Sequence, residues 1–229
     1  GTTGYEALML FCLSQYLLAV LLKEFSSWAL VLEVLLMVAL FAILAIHWLF
    51  PDVTAWWQSH LQSMYSSSSM LASISDSEKQ LIASTFSRYA TGVFAFYMMS
   101  FLFLGLLAGR FWQAAVNDQV AAFRESVLSI RVNRWVVWLA ALCVLGFLFK
   151  VPMFVDSIAA VLMPFVVAAF CLLHTLARGR AGISVALVGL YIGLLFLQYI
   201  VAPLLAITAV MDTFFDFRQR LSPSTHQQT

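Results

Sequence analysis

The chain has 229 residues, of which 63% are hydrophobic and only 10% are charged, and its mean hydropathy is +0.94. Ordinary soluble domains are about 45–50% apolar and about 25% charged, so this chain has too few charged residues to cover a surface that faces water. Its formal net charge of +1 excludes the strongly basic surface of a nucleic-acid-binding protein. We therefore expect an all-α, polytopic transmembrane helical bundle that is solvated mainly by the lipid bilayer.

The hydrophobic residues form six runs that approach the roughly 20 residues that a helix needs to cross a bilayer. Because backbone polar groups in lipid must be bonded within each segment, these runs are expected to be helical. We predict one transmembrane domain over residues 1–221, with spans near residues 5–22, 28–50, 91–108, 135–149, 154–177 and 183–211, and a polar tail over residues 222–229. The first run starts almost at once and the first residue is not Met, so we expect that further residues precede Gly1.

Residues 51–89 form the one sizeable polar region between the runs. Trp56 and Trp57 follow the end of the second run and are typical of the membrane interface, where aromatic rings lie at the depth of the lipid headgroups. Ser75 and Glu78 have the spacing of a capping box at the start of a helix. We expect that helix to continue into the third span.

Residues 109–134 combine four arginines with apolar residues. Val116, Val120, Phe123 and Val127 are separated by four, three and four residues, which places them on one face of a helix. The pattern predicts an amphipathic helix that lies along the bilayer surface or packs on the bundle.

The last hydrophobic run is longer than a bilayer requires and contains Pro203. It is either one long helix kinked at Pro203 or two short segments that meet there. With one helix, seven basic residues lie on the side of residues 109–134 and five on the other side; two segments make this division nine to three. The positive-inside rule then favours a cytoplasmic location for residues 109–134.

Two charged stretches of the chain resemble a known family. Residues 108–115 read Ala-Gly-Arg-Phe-Trp-Gln-Ala-Ala, with Phe-Arg-Glu at 123–125 and Ser-Ile-Arg at 129–131, and residues 211–220 read Met-Asp-Thr-Phe-Phe-Asp-Phe-Arg-Gln-Arg. These motifs and the layout of the runs resemble the YybS-like family of bacterial polytopic membrane proteins. Residues 117–120, Asn-Asp-Gln-Val, depart from that pattern, because similar proteins have a turn with Pro and Gly there; without those residues the segment can stay helical.

The resemblance implies a distant similarity to the substrate-binding S components of energy-coupling factor vitamin transporters. It therefore implies a six-helix core that captures a small molecule, and a multi-pass location in the bacterial inner membrane. It names neither a substrate nor a partner.

Four polar side chains within the predicted spans are candidates for contacts with a small-molecule ligand: Glu33, His47, Gln15 and Gln198. Glu33 is the sharpest candidate, because a carboxylate in hydrocarbon costs about 2.5–3.5 kcal/mol and usually faces the interior of a bundle. The alternative is a protonated or interfacial Glu33. His47 lies about 21 Å further along the same helix, where an interfacial histidine is the competing interpretation. The two glutamines also suit helix–helix hydrogen bonds.

A second group of residues is a candidate surface for a membrane-protein partner or anionic lipid: Arg110, Trp112, Arg124, Glu125, Arg131, Asp212, Asp216, Arg218 and Arg220. Guanidinium groups suit phosphate and carboxylate groups, although positive-inside anchoring explains the same arginines. Asp212 and Asp216 share one helix face. That spacing suits acid–base chemistry or cation binding, or local ion pairs where a helix leaves the membrane.

The sequence contains none of the common catalytic or phosphate-binding motifs, so we expect no catalytic residues, no cofactor and no metal site. Cys12, Cys143 and Cys171 lie in apolar runs and are expected to be buried free thiols. A lipid-modifying enzyme would rest on Asp212 and Asp216 alone. Two hypotheses therefore remain: a small-molecule-binding or transport subunit with an internal polar cavity, or an accessory or assembly subunit that binds another membrane protein complex.

Overall fold

The structure of the chain is a computed structural model that describes residues 2–67, 74–178 and 181–218. These residues form helices and no strand, which confirms the all-α prediction. The helices within the described ranges are α1 (Thr2–Phe25), α2 (Trp28–Leu49), α3 (Val53–Ser67), α4 (Asp76–Phe86), α5 (Ala90–Val116), α6 (Val120–Leu128), α7 (Arg134–Leu148), α8 (Pro152–Ala177), α9 (Ala181–Phe196) and α10 (Gln198–Phe215).

Four of these helices, α1, α2, α5 and α8, are long and apolar enough to cross a membrane. Their lengths of 22 to 27 residues exceed what a bilayer of ordinary thickness requires. Helix α7 and the apolar parts of α9 and α10 are shorter. The most apolar stretch of α8 is 67% buried, whereas that of α1 is only 12% buried, so α8 is largely surrounded by protein and α1 exposes most of its apolar surface. This set of helices is compatible with an integral membrane protein.

The chain divides into two compact units. The first unit consists of Gly1–Glu33, Leu102–Val137 and Leu162–Thr229, and the second of Val34–Phe101 and Trp138–Val161. Charge is distributed unevenly between them: seven of the ten basic residues in the described ranges belong to the first unit.

The capping box predicted at the start of α4 is present. Glu78 N–H donates to Ser75 Oγ, and the Glu78 carboxylate accepts the Ser75 backbone N–H at 3.0 Å. The predicted continuation of this helix into the third span is wrong, because α4 ends at Phe86 and α5 begins at Ala90. The buried Ser87 between them donates its hydroxyl to the Ser84 carbonyl, a side-chain bond that competes with regular helix.

The predicted helical continuity through residues 117–120 is also wrong. Helix α5 continues past the expected end of the third span to Val116, and a turn separates it from α6. Asp118 adopts a φ of 56° there, a left-handed conformation that Asp tolerates better than most residues. The turn closes through Gln119 N–H, which donates to the Ala114 carbonyl at 2.7 Å. Val116, 72% exposed on α5, therefore does not belong to one apolar stripe with the residues of α6.

The last hydrophobic run forms two helices, but they do not meet at Pro203. Helix α9 ends at Phe196, and Leu197 caps α10, so Pro203 lies inside α10. The N–H that a proline lacks would have bonded the carbonyl of Tyr199 in the first turn of α10. The disturbance of the helix therefore falls upstream of the proline, close to the observed break. Helix α9 packs against α10.

Candidate functional site

A buried ion pair anchors the end of α10 in the first unit. Arg218 Nε lies 3.2 Å from Asp212 Oδ2, and the two side chains are only 8% and 5% exposed. The guanidinium also donates to the carbonyls of Leu128, Ile130 (2.8 Å) and Ala168 (3.4 Å). Arg218 thus joins α10 both to the segment between α6 and α7 and to α8.

The electrostatics of this pair follow from its burial. Burial lowers the pKa of Arg218 from its ordinary value, and the neighbouring Asp212 carboxylate opposes that shift. An arginine pKa lies so far above neutrality that the side chain stays charged. Arg218 is therefore charged at physiological pH, and its donor groups are engaged by the Asp212 carboxylate and by backbone carbonyls of the same chain.

A second ion pair and a hydroxyl reinforce the end of α10. Asp216, which adopts a left-handed φ of 50° at the C-cap, lies 2.8 Å from Arg131 Nη2. This contact is an ion pair without hydrogen-bond geometry, since Asp216 Oδ1 accepts no hydrogen bond within the described ranges. Thr213 Oγ1 donates to the Val132 carbonyl at 3.2 Å. Asp212 and Asp216 are therefore each paired with an arginine of the same chain.

These contacts fix the direction of the last two helices. Arg178, just beyond α8, lies 2.8 Å from Glu125 of α6, so α8 ends beside the same segment as α10. Helix α9 starts three residues after Arg178. Because α9 begins and α10 ends near this segment, and because the two pack together, they form an antiparallel hairpin.

Two clefts flank α6. One, of about 230 Å³, is lined by Glu125, Leu128, Ser129, Arg131, Thr175, Arg178 and Arg218. Each of its three arginines already faces a carboxylate, so the positive charge of this cleft is largely neutralised.

The other cleft, of about 250 Å³, is lined by Trp28, Arg110, Gln113, Ala114, Gln119, Ala122, Phe123 and Ser126, and we call it the Arg110 cleft. Arg110 Nη1 donates to Gln113 Oε1 at 2.7 Å. No carboxylate in the described part of the chain lies within ion-pair distance of Arg110. The Arg110 cleft therefore carries an uncompensated cation.

Trp28 shapes the aromatic wall of this cleft. The indole is 5% exposed, donates its N–H to Ser126 Oγ at 3.2 Å, and lies edge-on to Phe103 and Phe123 at 5.8 and 6.1 Å. Buried indoles usually find such a hydrogen-bond partner. Trp28 thus connects α2 to α5 and α6 and holds the wall of the cleft in place. Its role was not predicted, because only the fold brings Ser126 to it.

Two of the predicted partner-contact residues stand apart from these contacts. Trp112 on α5 is 74% exposed, and Arg124 on α6 is exposed and lies in no ion pair within the described ranges. Both suit the headgroup region of a bilayer. Arg220, together with the predicted tail, lies outside the described residues.

The intramembrane candidates in the first unit do not meet at one cavity. Glu33 accepts a hydrogen bond from Asn133 Nδ2 and lines a cavity of only about 10 Å³. Gln15 Nε2 donates to the Leu102 carbonyl at 3.0 Å, which joins α1 to α5. Gln198 is exposed at the first residue of α10. None of the three lines either cleft beside α6.

In the second unit, the structure pairs His47 with a carboxylate that the sequence analysis missed. His47 Nε2 lies 2.8 Å from Asp156 Oδ2, and Asp156 Oδ1 accepts the Gly92 backbone N–H at 3.2 Å. Asp156 is only 4% exposed. Glu33 is a candidate because it is a carboxylate within an apolar run, and by the same criterion Asp156 is a candidate as well.

Among the residues that the structure describes, no group of three or more His, Cys, Asp or Glu side chains is arranged to hold a metal ion. Cys143 and Cys171 are buried as expected, whereas Cys12 is exposed on α1. No family model, no curated protein and no solved structure matches this chain.

Proposed function

We propose that this protein is a multi-pass membrane protein that binds an anionic small molecule or the anionic headgroup of a lipid in the Arg110 cleft. The observation that carries the proposal is the unpaired Arg110 guanidinium at a cleft of about 250 Å³ with amide, hydroxyl and aromatic walls. Guanidinium groups bind phosphate and carboxylate through two parallel hydrogen bonds.

The lining of the cleft suits such a ligand. The amide groups of Gln113 and Gln119 offer neutral N–H donors, and Trp28 and Phe123 offer an apolar wall. The volume is below the roughly 300–1,000 Å³ of pockets that enclose a drug-sized ligand, so it suits a headgroup or a small anion. The neighbouring cleft is less favourable, because a ligand there would compete with three existing ion pairs.

The same contacts support an orientation. The hairpin of α9 and α10 places Arg218 beside Arg131, which favours the nine-to-three division of basic residues. By the positive-inside rule, the Arg110 cleft then faces the cytoplasm. We place the protein in the bacterial inner membrane, with α1, α2, α5, α7 and α8 as spans and the hairpin as the sixth membrane segment.

The resemblance to the YybS-like family and to transporter S components extends this proposal to transport. An S-component-like protein would deliver its ligand only with a separate energising partner. The alternative function is an accessory or assembly subunit that binds another membrane protein complex. Purification with partners retained, followed by mass spectrometry, separates these functions: one stoichiometric protein without a small molecule or lipid favours the accessory subunit.

Ligand binding is tested with purified protein in lipid nanodiscs. We expect phosphatidylglycerol to raise the Tm relative to phosphatidylcholine, and we expect Arg110→Gln to lose at least half of that rise. Arg134→Gln is the matched control, because Arg134 lies over the Phe214 ring, outside the cleft. A Tm rise in phosphatidylcholine on addition of inorganic phosphate identifies a free anion as the ligand. An Arg110→Gln variant with the full response to both probes would contradict the proposal.

A further inference from the structure

The pair formed by His47 and Asp156 connects three helices of the second unit. His47 lies in the last turn of α2, Asp156 is the fifth residue of α8, and Gly92 is the third residue of α5. Both carboxylate oxygens of Asp156 are engaged, one by the imidazole and one by the Gly92 N–H. The Asp156 side chain is 5% exposed and that of His47 is 17% exposed. The imidazole is therefore the side of the pair that water reaches.

The position of His47 suits a cation. The helix dipole stabilises positive charge near the C-terminus of a helix, and His47 lies in the last turn of α2. Asp156 lies one residue beyond the first turn of α8, so it is the contact with the imidazole that supports its carboxylate. In a membrane protein, a buried ionisable pair of this kind marks a site for protons or ions by default.

One neutral side chain also contacts the pair. Thr91, buried beside Gly92 on α5, accepts the indole N–H of Trp57 on α3 at 2.8 Å, and its own side chain hydrogen-bonds Asp156. The other ionisable groups of the adjoining segments that the structure describes, Asp52, His60, Arg88 and Lys150, are exposed and form no ion pair with either residue. Protonation of the pair is therefore governed by the imidazole and the Asp156 carboxylate.

We propose that His47 and Asp156 form a proton-binding site, whose ligand is a single proton taken from water at this end of α2. When the proton is bound, an N–H bond forms on the imidazole and the pair is imidazolium and carboxylate. When it is released to water, the same carboxylate faces a neutral imidazole. Imidazole is the side chain whose ordinary pKa, about 6.5, allows this exchange between pH 5 and 8.

Proton binding thereby controls how strongly α2 is held to α8. An ion pair with a charge-assisted hydrogen bond is stronger than the bond between a carboxylate and a neutral imidazole. Acidification toward pH 5.5 therefore strengthens the link, and release of the proton toward pH 8.5 weakens it. Proton binding depends on residues that do not line the Arg110 cleft, so it is tested independently of anion binding.

A double-mutant cycle tests the proposal with the full chain in detergent. His47→Gln and Asp156→Asn are each expected to lower the Tm by roughly 5–10 °C at pH 5.5, and the double variant is expected to be little worse than either single variant. The non-additive part of the Tm shift should fall by at least half at pH 8.5. His60→Gln, an exposed histidine on α3, serves as the matched control and should be additive with Asp156→Asn at both pH values.

Histidine nitrogen NMR follows the proton itself, and it uses the wild-type protein if the variants fail to fold. The His47 ring should gain a proton as the pH falls from 8.5 to 5.5, with its signal assigned in the wild-type protein through its correlation with the His47 backbone. Two results would overturn the proposal: an equal non-additive part of the Tm shift at both pH values, or a His47 ring that keeps one protonation state from pH 5.5 to 8.5. The contact between His47 and Asp156 would then be a purely structural hydrogen bond.

Discussion

Replacing Arg218 should destabilise the protein more than any other removal of a single charge near α6. In Arg218→Gln, the Asp212 carboxylate stays buried without its counter-ion, and the carbonyls of Leu128 and Ile130 lose charged donors. Breaking a buried pair in this way costs about 3–5 kcal/mol. For a chain of this length, each kcal/mol corresponds to roughly 2–4 °C, so the Tm should fall by about 6–20 °C.

Two further variants isolate the cause of this loss. Asp212→Asn combined with Arg218→Gln should recover part of the Tm, because no uncompensated charge remains buried. Arg178→Gln is the matched control, since the Arg178–Glu125 pair is 36% and 66% exposed. Exposed pairs contribute about 0–1 kcal/mol, which corresponds to a Tm change of at most about 4 °C.

Thiol reactivity provides the assay for these variants. Cys143 and Cys171 are buried and become accessible to a thiol-reactive dye only when the protein unfolds, and Cys12 is exposed and is first replaced by serine. Equal Tm losses in Arg218→Gln and Arg178→Gln would show that the burial of an ion pair does not determine how much stability its loss removes.

Two local predictions follow from a glycine contact and a helix cap. A Cβ at Gly92 would overlap the backbone carbonyl of Asp156, so Gly92→Ala should cost about 1–3 kcal/mol, whereas Gly109→Ala meets open space and should leave the Tm unchanged or raised; equal Tm values for the two variants would contradict this contact. Hydrogen bonds from Ser75, first from its hydroxyl and second from its backbone N–H, lower the pKa of Glu78. The cap therefore stabilises α4 at neutral pH, and this stabilisation is lost as the pH falls through the lowered pKa of Glu78. In Ser75→Ala, carboxyl NMR should show a Glu78 pKa shifted up toward 4.5, and an unchanged pKa would contradict the cap.

The helices could be predicted from the sequence because long apolar runs have few alternatives in lipid. The ends of α2 and α7 lie within one residue of the predicted limits of their spans. The turn before α6 was missed, because a single residue, Asp118, adopts a left-handed conformation without the Gly or Pro that usually marks a turn. The break at Leu197 was misplaced because the effect of Pro203 falls upstream of the proline.

The contacts at the candidate sites were less predictable than the helices. The sequence singled out Arg110, Asp212 and Arg218 by residue type, but it did not show that Arg218 is occupied by Asp212 and that Arg110 is free of carboxylates. Such pairings depend on which helix ends the fold brings together. Asp156 is different, because its position in an apolar run was visible in the sequence and only its partner, His47, required the structure.

Whether α2 crosses the bilayer can be measured by labelling its two ends. Single cysteines at Glu24 and Asp52, which are exposed and flank this helix, are introduced into a variant without native cysteines and labelled with a membrane-impermeant maleimide in sealed vesicles of known orientation. We expect labelling of the two positions from opposite sides of the membrane, with Glu24 on the cytoplasmic side. Labelling of both positions from the same side would show that α2 does not cross the bilayer, and the protein would then not be the multi-pass membrane protein proposed here.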